Sequence, residues 1–193
     1  MLPEQFVFVG IAINAIGLSS YFLDTVRGKI KPNKVSFALW SIAPILAFFA
    51  MLDEGVGVQA LMTLSVGIFP IFIFLGSFVN KKAYWKITKF DLSIGALSLI
   101  GLLLWQITKV GSIAIFFGIL ADGLAYIPTL TKAWKFPETE SAWPWLAVSV
   151  NGLFTLMTLT TFNFANSAFP FYFLIINFIV FAVVLFKLGK ITK

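Results

Sequence analysis

Seven apolar runs separated by short polar connections leave this chain few ways to fold: residues 6–23, 35–52, 56–79, 92–108, 110–130, 142–162 and 168–186. Crossing the hydrocarbon core takes about 20 mostly apolar residues in a helix, since lipid offers no partner to an unpaired backbone group. The runs match that length, and no connection is long enough to form a domain outside the bilayer. The expected fold is therefore an all-α polytopic membrane protein with seven transmembrane helices. The fourth run, "LSIGALSLIGLLLWQIT", is the shortest and is expected to begin slightly earlier, near Phe90. The first lacks a basic leader and a small-residue cleavage site, so it reads as a retained span and not a signal peptide. Only 11% of residues are charged and 60% are hydrophobic, against roughly a quarter charged in a soluble domain.

The basic residues report which way the spans run. Arg27, Lys29, Lys31 and Lys34 fill the first loop, and Lys81, Lys82, Lys86 and Lys89 the third. Lys132 and Lys135 lie in the fifth, and Lys187, Lys190 and Lys193 in the tail. Only Lys109 falls on the other side, with Glu4, Asp53 and Glu54. Basic loops stay in the cytoplasm, so the N-terminus is expected outside and the C-terminus inside, as in a bacterial-type inner (plasma) membrane. The net charge of +6 is thereby explained as a topology signal, which removes nucleic acid as a partner. Tyr84, Trp85, Trp105, Trp134 and Trp143 lie near the expected borders and read as interfacial anchors.

The chain has no cysteine and no histidine. Disulfides, thiolate metal sites and the commonest general base are all excluded, so no metal, cofactor or enzyme activity is expected. A retinal protein would need a lysine midway along the last span, and the first one there is Lys187, at its end.

Two parts of the sequence match. In "GIAINAIGLSS" and "GILADGLAYIP", Gly10 aligns with Gly118, Ile11 with Ile119, Asn14 with Asp122 and Gly17 with Ala125. Each is followed by a basic loop and then by Pro, Ser and Trp in order: Pro32, Ser36, Trp40 and Pro137, Ser141, Trp145. Two units of three spans point the same way only if one span separates them. The expected organisation is a first three-helix repeat (1–83), a linker helix (84–109) and a second repeat (110–193). Parallel repeats of this kind, with the solute site near mid-membrane between them, are a transporter architecture.

On these features the chain resembles the SWEET sugar transporters and the wider PQ-loop superfamily. The resemblance covers nearly the whole chain. The name-giving Pro-Gln pair would fall at Pro128–Thr129 and at Ser20–Tyr21. It implies a proline in each of four hinge helices, met here by Pro44, Pro128 and Pro144, with none in the first span. It also implies a polar residue, often Asn, facing the solute from the third helix of each repeat; Asn177 fits, whereas Asn80 lies at the end of the third span.

The polar residues within spans are the candidate site. Asp122 stands at the centre of its span, where a carboxylate costs about 2.5–3.5 kcal/mol on insertion scales, so it is expected to face protein or a wet cavity. It reads either as solute-binding or as half of a helix clamp, for instance to Asn14. Asn14, Asn151 and Asn177 are binding candidates or interhelical glue. Trp40 and Trp145 read as belt residues or as rings that stack on a solute. Tyr126 and Tyr21 carry hydroxyls toward the cytoplasmic half and read as binding and gating candidates respectively, or as plain interfacial residues. Pro44 and Pro128 are hinges or static bends, and Pro70 shares that ambiguity. Asp24 and Lys132 hold matched positions near the boundary and are expected to be solvated; Glu138 and Glu140 receive no role.

The leading expectation is a transporter of a small polar solute, sugar-like or amine-bearing and proton-coupled, working by alternating access. The alternative is a receptor or sorting protein on the same fold, as in the KDEL receptor class. Expected partners are the solute, protons and the lipid bilayer, and a homo-oligomer is left open.

Overall fold

The structure is a computed structural model that describes residues 1–83, 85–108 and 111–191. Tyr84, Lys109 and Lys193 lie outside the described residues, as does the side chain of Trp105. Described residues in regular structure are all helical: α1 (Phe6–Val26), α2 (Lys34–Trp40), α3 (Ala43–Asp53), α4 (Ala60–Gly76), α5 (Lys89–Thr108), α6 (Gly111–Lys135), α7 (Trp143–Thr158), α8 (Phe164–Leu185) and α9 (Leu188–Ile191), with two short 3₁₀ turns. Each of the seven apolar runs coincides with a helix, the second with the broken pair α2 and α3.

That break has a local cause. Pro44 has no N–H to donate to Trp40 O, and its ring would collide with that carbonyl. The helix accordingly interrupts at Ser41–Ile42 and restarts at Ala43, with Pro44 in the first turn of α3. Asn33 fixes the start of α2: its Oδ1 accepts from Val35 N at 3.0 Å and Ser36 N at 3.3 Å, the usual Asn cap. Pro144 sits in the first turn of α7 and breaks nothing. Pro70 and Pro128 lie inside helices that continue through them.

Among the described residues, four helical segments are long and apolar enough to cross a membrane: Phe6–Val26, Lys34–Asp53, Gly111–Lys135 and Phe164–Leu185; Ala60–Gly76 is a shorter apolar helix. Their outer faces are greasy, with Phe8, Phe49, Phe72, Phe116, Phe171 and Phe178 all exposed, while Asn14, Asp122, Asn151 and Asn177 are fully buried. A surface that apolar would aggregate in water, and it suits a protein embedded in lipid. Trp134 and Trp143 are exposed near helix ends, as anchors would be.

The helices close into a ring. α1 packs on α4, α4 on α2 and α3, these on α6, α6 on α8, α8 on α7, and α7 back on α1. α5 lies outside, against α6 and α2. The loops sort by charge. Asn80 Nδ2 donates to Val26 O at 3.0 Å, Lys31 N donates to Thr139 O at 3.0 Å, and Lys190 Nζ reaches Glu138 Oε2 at 2.9 Å. These contacts gather the basic loops and tail at one end. At the other, Leu2 N donates to Met157 O at 2.8 Å and Glu54 packs on Gly111.

The α1–α7 contact depends on small residues. A Cβ on Gly17 would sit 2.4 Å from Ala147 Cβ, and one on Gly10 would sit 3.2 Å from Asn151 Cα. The residues matched to them by sequence occupy the opposite contact: Gly118 lies beside Ala47 of α3, and Ala125 O accepts from Ser36 Oγ of α2 at 2.7 Å. Gly17→Ala is expected to cost about 1–3 kcal/mol, the usual penalty of overpacking, read as reduced thermal stability in detergent. Adding Ala147→Gly should recover most of it, because the offending methyl is then gone from the other side.

Candidate functional site

At the centre of the ring is a cavity to which all six ring positions contribute. Tyr21 comes from α1, Trp40 from α2, Pro70 from α4, Asp122 and Tyr126 from α6, Trp145 from α7 and Asn177 from α8. Among the described residues α5 contributes none. Water-sized molecules can centre themselves over about 30 Å³ of it, room for roughly two waters. Its described walls include no basic residue.

Asp122 is fully buried at mid-helix. Its Oδ2 accepts from Tyr172 Oη of α8 at 2.8 Å, and its Oδ1 has no partner among the described residues. Trp40 Nε1 donates to the Asp122 backbone carbonyl at 3.3 Å, so α2 is tied to the residue that carries the carboxylate. One turn on, Tyr126 Oη donates to Asn177 Oδ1 at 3.0 Å, and Asn177 Nδ2 donates to Phe173 O at 2.9 Å. Trp145 Nε1 is buried with no partner among the described residues.

The rings form one cluster. Trp40 lies 4.4 Å from Tyr126 and 5.7 Å from Trp145, centroid to centroid, and Tyr21 lies 6.0 Å from Trp145. Both repeat-matched tryptophans thus reach the same cavity, and neither is a belt residue: both are buried.

Asn14 and Asn151 are brought together elsewhere. Their Nδ2 atoms both donate to Ser65 Oγ of α4, at 3.2 and 3.3 Å, and neither lines the cavity. A direct Asp122–Asn14 clamp does not form; Tyr172 takes the carboxylate and Ser65 takes the amide. Ser65→Ala strips the acceptor from two buried amides, and leaving such a group unpaired costs about 1–3 kcal/mol. Thermal stability in detergent is expected to fall accordingly, while solute affinity stays unchanged because none of the three residues reaches the cavity.

Below the cavity, toward the basic end, Tyr21 Oη donates to Glu140 Oε2 at 2.7 Å. Glu140 is ion-paired with Lys132, whose Nζ also donates to Lys31 O. The side chains of Lys132 and Glu140 are 1% and 0% exposed. This corrects the expectation that Lys132 is solvated and that Glu140 has no role: α6 runs on to Lys135, so Lys132 lies within the bundle, under Trp85 at 5.3 Å from its ring. Asp24, by contrast, pairs at 3.4 Å with the exposed Lys29. Pro44 lines the central cavity and Pro128 does not; it borders a separate hollow with Trp85 and Lys132.

Tyr172 is the residue that sequence reasoning missed. It is one of four tyrosines, set in the apolar run "FPFYFLII", where a lone hydroxyl is the only signal of a buried polar partner. Among the described residues no group of three or more acids could hold a metal ion. No family model, curated protein or solved structure matches the chain.

Proposed function

We propose that the chain is a seven-span membrane carrier of a small polar solute, working by alternating access between two parallel three-helix repeats. In this reading α1 to α4 form the first repeat (1–83), α5 is the linker (84–109) and α6 to α8 form the second (110–193), with the N-terminus outside. The plan is that of the SWEET and PQ-loop transporters. The observation that carries it is the central cavity walled by every helix of the ring and by none of the described residues of α5.

Two further features support it. Exchanging α1 with α6, the α2–α3 pair with α7, and α4 with α8 maps every packing contact of the ring onto another contact of the ring. The matched small residues Gly10 and Gly118, and Gly17 and Ala125, then sit at equivalent seams. In this reading the α1–α7 and α2/α3–α6 seams are where one triplet rocks on the other. Room for roughly two waters suits a closed state, in which the Tyr21–Glu140–Lys132 group seals the basic end.

Because the chain lacks cysteine, single cysteines report directly. In intact cells a membrane-impermeant maleimide should label Asp53→Cys, and should label Lys29→Cys only after permeabilisation; the reverse pattern overturns the orientation. Counterflow in proteoliposomes, screened over sugars, amines, amino acids and nucleosides, tests carriage. Ligand-induced thermal stabilisation with no counterflow for that ligand would assign the receptor reading instead.

A further inference from the structure

The cavity is chemically one-sided. It holds one carboxylate with an unpartnered oxygen, Asp122 Oδ1, and no basic residue among its described walls. Tyr172 supplies a single neutral hydroxyl to the other oxygen. Three buried rings, Trp40, Trp145 and Tyr126, line the same cavity as the carboxylate, with centroids 4.4–6.1 Å apart. An aromatic face attracts a cation through its quadrupole, most strongly where water is excluded. A carboxylate in the same dry space attracts a cation more strongly still. The remaining unmet group is a donor, Trp145 Nε1.

We infer that the ligand of this cavity is a small organic ammonium that also carries an acceptor oxygen, its charged end on Asp122 among Trp40, Trp145 and Tyr126 and its oxygen on Trp145 Nε1. The inference rests on the reading of the cavity as a solute site. It selects among solutes by charge. A neutral polyol can hydrogen-bond to Asp122 Oδ1, but it leaves the negative charge uncompensated and gains nothing from the ring faces. A proton would compensate the charge, but it leaves Trp145 Nε1 without an acceptor and makes no use of the rings.

The test compares matched pairs by equilibrium binding to the intact chain in detergent, with intrinsic tryptophan fluorescence and calorimetry as readouts. Ethanolamine is set against ethylene glycol, choline against its neutral isostere 3,3-dimethylbutan-1-ol, and glucose serves as the ring-shaped neutral solute. The cationic member of a pair should bind at least about tenfold more tightly, a difference of 1.4 kcal/mol. In Asp122→Asn that preference should disappear. The comparison within pairs needs only the wild-type chain, so it stands even if the variant fails to fold. Equal binding within both pairs, binding of glucose alone, or no binding of either amine overturns the inference. Preferential binding of an amine without counterflow leaves it intact and removes carriage, so the two readings fail separately.

Discussion

Lys132→Met is expected to lower stability by about 3–5 kcal/mol, the cost of stranding one member of a buried ion pair. Glu140 would be left in a place where its side chain is 0% exposed, with only the Tyr21 hydroxyl, among the described residues, donating to it at 2.7 Å. Glu140→Gln alone strands the ammonium, which keeps Lys31 O as its acceptor, and should be comparably damaging. Removing both charges together is different. Neutral side chains of similar volume need no charge desolvation, and such replacements are often neutral or stabilising. Lys132→Met combined with Glu140→Gln should therefore recover most of the loss, since the introduced amide oxygen can still accept from Tyr21. Chemical or thermal unfolding in detergent, run as a double-mutant cycle, measures this. Additive losses in the double variant would mean that the two groups do not act as a pair. The exposed Lys190–Glu138 contact, at 2.9 Å with both side chains about half exposed, should show nothing comparable on disruption, since surface pairs are worth little.

Asp122→Asn is expected to reduce solute flux in proteoliposomes at least tenfold or so while leaving folded protein. The change removes charge with almost no change in shape. Asn still accepts from Tyr172, whose hydroxyl bonds Asp122 Oδ2 at 2.8 Å, so the α6–α8 contact survives. A hydrogen bond to a charged group is worth about 1.5–3 kcal/mol, which corresponds to tenfold or more in affinity. Asn177→Ala should act in the same direction through a different route, by releasing the Tyr126 hydroxyl that bonds it at 3.0 Å. Tyr172→Phe separates support from binding: it leaves the carboxylate but frees it to turn, so flux should drop less than in Asp122→Asn. Wild-type flux in both Asp122→Asn and Asn177→Ala would remove these residues from the solute's path.

The helices are legible in the sequence because apolar run length is a direct consequence of what lipid tolerates. The run at 35–52 shows the limit. Its hydropathy marks one span, and its interruption is visible only through Pro44 acting on the Trp40 carbonyl four residues back. Asp122 can be placed inside the bundle from cost alone, although that cost leaves a wet cavity and a helix clamp both open. Its partner cannot. Tyr172 lies 50 residues away in a locally apolar stretch of α8, and only the α6–α8 packing joins them. Lys132 misleads for a related reason. A lysine near a helix end is normally solvated, and burial depends on where Glu140 and the Lys31 carbonyl are brought by two different loops. Asn14 and Asn151 look like Asp122 as deep polar groups, yet they serve Ser65, which no pattern in the chain connects to either.

The buried charges beside Tyr21 sit unevenly across the molecule. Lys132 and Glu140 lie on α6 and the turn that follows it, whereas Tyr21 and the Lys31 carbonyl lie on α1 and the loop that follows it. If these two segments part at that end, the cation and anion travel as one body and stay neutralised; the pair gives up two bonds from neutral groups, and the Lys31 N–Thr139 O bond goes with them. Each such bond is worth about 1.5–3 kcal/mol, far below the penalty of carrying separated ions through a dry interior. On the proposed carrier reading, the fastener opens along its weak edge, with no ion pair to separate on the way.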